Sequence, residues 1–105
     1  MGKLLGSLEL VVLLSVIRLA DEAYGVPVAR EVVRASRCSW PVASIYAALD
    51  RLQAKGLITS GLGDPTPERG GRAKRYFRVT AKGLRVVRDT QRTFAVFWQI
   101  APQPR

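Results

Sequence analysis

The chain has no histidine, one cysteine and only eight acidic residues, and each shortage removes a class of chemistry. Without histidine, a triad of the Ser-His-Asp type cannot be assembled. A zinc site of the usual ligand types is nearly excluded too, because Cys38 is the single thiol. Cys38 cannot close an internal disulfide, which fits a reducing cytosol. It reads as a structural residue, since a reactive thiol needs Arg37 and nearby helix ends to lower its pKa. A paired-carboxylate enzyme remains, but the acids show no spacing that suggests one. The expectation is a protein that binds without catalysing, with no metal and no cofactor.

Long apolar runs are also missing. "LELVVLLSVI" is interrupted by Glu9 and followed by Arg18, and is too short to span a bilayer. "RLADEA" makes a poor cleavage site. "MGKLLGS" has Gly6 where a myristoylation signal needs Ser or Thr. The segment reads as a helix of a soluble protein of the prokaryotic cytosol or nucleoid, with no membrane partner.

What is present is positive charge on a foldable chain. The 105 residues suit one domain. A hydrophobic share of 48% argues for a packed core despite a net charge of +9. Such an excess favours a polyanionic partner, nucleic acid before an acidic membrane surface. General solubility explains it less well, because the charge is clustered. Arg69, Arg72, Lys74, Arg75, Arg78, Lys82 and Arg85 stand close together against Glu68 alone.

The spacing predicts a first helix from about Leu8 to Leu19, capped by Ser7, with Glu9 near its positive end. It is apolar on nearly every side, through Leu8, Leu10, Val11, Val12, Leu13, Leu14, Val16 and Ile17. A helix apolar all round is buried all round, and a chain this small has little to cover both faces. A second subunit is implied. "DEAYG" reads as a turn. Pro27 then suits the first turn of helix two, which runs to about Ala35 with Val28, Val32 and Ala35 inward. Helix three is expected from Pro41 to Lys55, capped by Ser39 or Trp40 and closed by Gly56. Its inner face is Ile45, Ala48, Leu49 and Leu52. Its outer face, Ala43, Ser44, Ala47, Asp50, Arg51, Ala54 and Lys55, is small and polar. Tyr46 lies at the border.

Residues 57–62 and 74–80 read as two strands joined by a long Pro- and Gly-rich loop. Thr80 caps helix four, from Ala81 to about Ile100. There Val87, Thr90, Phe94, Phe97 and Ala101 form a short seam of coiled-coil spacing. The order is α-α-α-β-β-α: a mainly α (α+β) winged helix-turn-helix, with residues 1–80 as the DNA-binding part and 81–105 as a helix and short tail. A major groove about 12 Å wide admits a helix whose outer side chains are small. Ser44 can bond a base edge or a phosphate, and Arg51 and Lys55 can reach phosphate or guanine. In the loop, Gly70 and Gly71 allow close approach, and Arg69, Arg72, Lys74 and Arg75 surround them. Arginines at such a tip suit a narrow minor groove or phosphate. A solvated helix face and a merely soluble turn are the plainer readings of the two features.

Three segments, "LGSLELVVLLSVIRLADEAYGVPVARE", "SIYAALDRLQAKGLI" and "PERGGRAKRYFRVTAKG", resemble the PadR-like transcriptional regulators. The resemblance covers roughly residues 4–85, and the GGR wing followed by a Tyr-bearing strand and "TAKG" is its most specific part. It implies a homodimeric winged-helix repressor on palindromic double-stranded DNA. Carried over by position, the reading helix contributes Ser44, Tyr46 and Arg51, and the wing contributes Arg69, Gly70, Gly71, Arg72 and Lys74. Tyr24 and Gly25 match the turn before helix two, beside the DNA backbone. Ala47 stands where many members have proline or a larger residue, so base preference does not carry over. Dimerisation through the first and last helices would use Leu8, Val11, Val12, Val87, Thr90, Phe94 and Phe97. Some members bind planar molecules between subunits, and Phe94, Phe97 and Trp98 are the candidates for such a small effector. The competing reading is a protein-interaction module that uses the apolar helices and has no specific DNA site. A third is an RNA-binding wing.

Overall fold

The computed structural model describes residues 4–63 and 74–100. Helix α1 spans Ser7–Leu19 and ends in a single 3-10 turn at Ala20–Glu22. Helix α2 spans Gly25–Ser36, α3 spans Val42–Ala54, strand β1 spans Ile58–Leu62, β2 spans Arg75–Val79, and α4 spans Ala81–Ile100. The expected order is observed. The two strands pair antiparallel, with Ile58 opposite Val79 and Leu62 opposite Arg75. The chain is thus a mostly helical winged-helix fold with a small antiparallel sheet and a C-terminal helix.

One core holds these elements. Val12, Leu13 and Val16 of α1 meet Val28 and Val32 of α2 and Ile45, Leu49 and Leu52 of α3, and Leu57, Ile58 and Phe77 close it from the wing. The inward face of α3 is the one its spacing predicts. That of α2 differs: Val28 and Val32 are buried, but Ala35 is exposed and borders an open groove. Glu31 is the third covered residue of α2 instead. Its carboxylate accepts hydrogen bonds from Arg18 and Arg34 at 2.7–3.1 Å, so the charge is buried with partners.

Local signals end several elements. Gly56 has φ +74°, where a side chain would be strained. Its N–H donates to Gln53 O and that of Leu57 to Leu52 O, both at 3.0 Å. This pair of bonds is the Schellman ending, with Leu52 and Leu57 buried together. At the start of α4, Thr80 Oγ1 accepts from the Gly83 N–H at 3.0 Å and donates to Gly56 O at 2.7 Å. Gly83 is buried against the wing. A Cβ there would strike the Leu57 carbonyl oxygen and lie 2.8 Å from Val79 Cγ2.

Two expected caps are corrected. Gly6, not Ser7, precedes α1, and Pro41, not Ser39 or Trp40, precedes α3. Neither makes a side-chain capping bond. Backbone carbonyls substitute: Gly6 O accepts from Leu10 N, and Pro41 O accepts from Ser44 N and Ile45 N. Trp40 instead turns back, its indole N–H donating to Ser36 Oγ at 3.3 Å. Arg37 takes a left-handed conformation at φ 56° and ends α2, which leaves Cys38 exposed in the turn and not packed in the core.

Helix α1 is not covered all round. Val12, Leu13, Ser15 and Val16 are buried, whereas Leu14 is exposed. Val12 is wholly enclosed within one copy, and Thr90 is nearly so, its hydroxyl donating to Val86 O at 2.7 Å. Neither offers surface to a partner. Leu8, Val11 and Val87 are half-buried, and Phe94 and Phe97 are exposed. Helix α4 packs on α1 and β2, and its residues from Gln91 to Gln99 are exposed.

Candidate nucleic-acid interface

The start of α2, the border of α3 and the base of the wing converge on one hollow of about 270 Å³. Tyr24, Gly25, Val26, Tyr46, Lys74, Arg75 and Phe77 line it. The wing is attached here by backbone. The Phe77 N–H donates to Ala23 O at 2.8 Å, and Tyr24 pairs with Tyr76 as an isolated antiparallel bridge. Their rings lie 5.2 Å apart and tilted by 59°. Lys74 Nζ stands 4.2 Å from the centre of the Tyr24 ring, a cation over an aromatic face. Gly25 has no side chain because Tyr46 occupies that space: a Cβ would meet the Tyr46 hydroxyl. The ring of Tyr46 is therefore laid across the first turn of α2, with its edge partly exposed.

A second set of contacts fixes the wing to α3. Arg75 donates to Gln53 Oε1 at 2.8 Å and to Ser60 Oγ at 3.2 Å, and Ser60 donates to Gln53 Oε1 at 3.1 Å. Side chains of β1, β2 and α3 thus meet on one carboxamide oxygen. The loop 64–73 leaves from strand ends held in this way. The predicted wing residues Arg69, Gly70, Gly71 and Arg72 lie outside the described residues, as do Pro65 and Pro67.

The remaining predicted contacts divide. Tyr24, Gly25, Tyr46 and Lys74 come together in the hollow, and Ser44 is half-buried on the first turn of α3. Arg51 and Lys55 lean the other way. Lys55 Nζ is 2.6 Å from Glu9 Oε1, and Arg51 Nε is 3.1 Å from Glu9 Oε2. The freely reaching cations expected on the outer face are instead paired on the flank toward α1. Lys55, then Arg51, hold the Glu9 carboxyl below its ordinary value of 4.5 against the opposing effect of burial. The Glu31 carboxyl is likewise lowered, by Arg34 first and Arg18 after it.

Sequence reasoning did not place Tyr76, Gln53 or Glu9 at this surface. The alternation of β2 does turn Tyr76 away from the buried Phe77, which was the available signal. Glu9 had none, because its partners lie 42 and 46 residues away.

Leu10, Leu14, Val87, Thr90, Gln91 and Phe94 line an open groove of about 400 Å³ between α1 and α4. Of the three aromatic effector candidates, Phe94 reaches it. Phe97 and Trp98 lie further out, 59% and 69% exposed, with the Trp98 ring edge-on to Phe94 at 6.1 Å. Among the described residues no group of three or more His, Cys, Asp or Glu could hold a metal, and no helix is long and apolar enough to cross a membrane.

A three-helix core with a two-stranded hairpin beside its third helix defines a winged helix-turn-helix protein. More particularly, the chain belongs to the PadR-like family of transcriptional regulators, whose model matches residues 13–89. The fold is similar to that of a PadR family transcription regulator from hypervirulent Clostridium difficile R20291. That match has 20% identity and a TM-score of 0.72, covering 90% of this chain and 94% of that one. A PadR family transcriptional regulator from Eggerthella lenta DSM 2243 matches at 25% identity and a TM-score of 0.66, over 84% of this chain and 74% of that one. A PadR-like transcriptional regulator from Bacillus cereus strain ATCC 14579 matches at 22% identity and a TM-score of 0.69, over 88% and 84%. No curated protein matches the sequence.

Proposed function

We propose that the protein is a homodimeric, DNA-binding transcriptional repressor acting on a palindromic operator. The observation that carries this reading is the attachment of the wing. The Ala23–Phe77 bond and the Tyr24–Tyr76 bridge hold the base of a basic loop beside the start of α2 and the exposed face of α3. A helix and a basic hairpin aimed at one side suit a duplex, with α3 in the major groove and the wing on the adjacent backbone or minor groove. Residues 1–80 then act as the DNA-binding part, and α4 with the tail to residue 105 as the dimerising part. Tyr24, Gly25, Ser44, Tyr46, Lys74 and the loop residues Arg69, Gly70, Gly71 and Arg72 are its contacts. Arg51 and Lys55 join them only on leaving Glu9.

Leu8, Val11, Val87, Phe94 and Phe97 are the residues for the subunit contact. A small planar effector would sit in the groove at Phe94. The cytosol or nucleoid is the compartment that such a role requires.

Selection of bound duplexes from a random pool at stated salt, with light scattering on the same sample, tests the proposal. A dimer that enriches a two-fold symmetric site supports it. A monomer indifferent to DNA at low salt overturns it in favour of a protein-interaction module. Tighter binding to RNA than to duplex DNA overturns it in favour of the RNA-binding wing.

A further inference from the structure

The outer face of α3 is short of positive charge. Ala43, Ala47, Asp50 and Ala54 are all exposed along it. Arg51 of the helix and Lys55 just after it are both engaged by Glu9 from α1. The Glu9 side chain is only 13% exposed, while those of Arg51 and Lys55 remain 50% and 48% exposed. One acid beside two bases leaves a single net positive charge where two would otherwise stand. Lys82 completes the neighbourhood, donating to the Lys55 carbonyl at 3.0 Å. Apolar packing, as well as Glu9, seats α1 on α3. Val12, Leu13, Val16, Ile45, Leu49 and Leu52 already share one apolar core.

We propose that Glu9 is a specificity-determining positioning residue: by holding Arg51 and Lys55 off the phosphates, it keeps affinity for arbitrary duplex low. The inference rests on the DNA-binding reading above. Phosphate contacts strengthen binding to every sequence alike through counterion release. A cation freed on α3 therefore adds affinity everywhere and discrimination nowhere. With both cations held on the α1 flank, the base edges meet alanine methyls, Ser44 and Asp50. Apolar contact with thymine methyls and carboxylate acceptance from cytosine do distinguish bases.

The test is binding of a random-sequence duplex and of the selected operator between 50 and 200 mM salt. The proteins compared are wild type, Glu9→Gln, the Arg51→Gln/Lys55→Gln pair and the triple variant. Glu9→Gln is expected to bind random duplex more tightly and to narrow the ratio between operator and random DNA. Each added phosphate contact steepens the salt slope by about 0.9, which is about a 3.5-fold larger fall in affinity over that salt range. Removing Arg51 and Lys55 is expected to cost more random-duplex affinity in the Glu9→Gln background than in the wild type. An unchanged slope in Glu9→Gln overturns the proposal, as does weaker binding at an unchanged melting temperature. Should Glu9→Gln prove unstable, the Arg51→Gln/Lys55→Gln pair decides alone. It is expected to reduce the wild-type random-duplex slope by less than one contact, and a reduction of two overturns the proposal. A wild-type chain that binds no duplex at low salt overturns the DNA-binding reading itself, which is a different outcome.

Discussion

At the residue scale, Gly83 sets helix propensity against packing. Alanine is favoured over glycine inside a helix by about 1 kcal/mol. At Gly83 the added methyl would run into the Leu57 carbonyl, which is backbone and cannot step aside. Overpacking of this kind costs about 1–3 kcal/mol. Gly83→Ala is therefore expected to lower the denaturant midpoint at unchanged slope, and a raised midpoint would refute the contact. Gly25→Ala differs, because its obstacle is the far end of the Tyr46 side chain, which can swing. Glu9 and Glu31 give a second expectation. Both carboxyls are lowered by basic partners, so their ion pairs contribute stability above the ordinary value of 4.5. That contribution is lost as pH falls through the lowered folded-state values. The wild type should lose stability on acidification below about pH 4.5 more steeply than a Glu9→Gln/Glu31→Gln variant. Parallel acid melting curves for the two proteins would refute this.

Among the elements, α4 divides into a packed inner half and an apolar outer half. Its Val96, Phe97 and Trp98 are three consecutive exposed apolar residues, each 59–69% exposed. Phe97→Lys changes a side chain that is 59% exposed and outside the core. It is expected to leave the helical circular dichroism intact while shifting light scattering toward the monomer at micromolar concentration. An unchanged dimer would place the subunit contact elsewhere. The legibility of the elements follows the reach of their interactions. The end of α3 and the start of α4 were readable, because Gly56 closes the one with a bond to Gln53 and Thr80 caps the other with a bond from Gly83, each within three residues. The phase of α1 was not, because a helix apolar on all sides does not reveal which valine faces inward. Val12 lies in the core and Leu14 outside it, although the two look alike in sequence. The direction of Arg51 and Lys55 was equally hidden, since only the packing of α1 on α3 brings Glu9 to them.

For the whole molecule, the proposed two-fold assembly turns the operator into a ruler. Half-sites would lie about one helical turn apart, roughly 34 Å, or a multiple of it. Inserting about half a turn of DNA between them puts one half-site on the wrong side of the duplex and should abolish high-affinity binding. Inserting a full turn of roughly 10 base pairs restores the facing and should recover part of it. Equal affinity for both insertions, measured by fluorescence anisotropy, would mean that the subunits bind independently. In the proposed assembly, the setting of that ruler would trace back to Gly83. Its missing side chain lets α4 rest directly on the Leu57 carbonyl, close to the helix's own beginning. From there the helix runs on for roughly 25 Å to Ile100. In that assembly it would act as a lever held near one end, and about 5° of tilt at the glycine would displace the far end by about 2 Å. A sub-ångström change in how one backbone oxygen meets one glycine would then be read out as the distance between two reading helices.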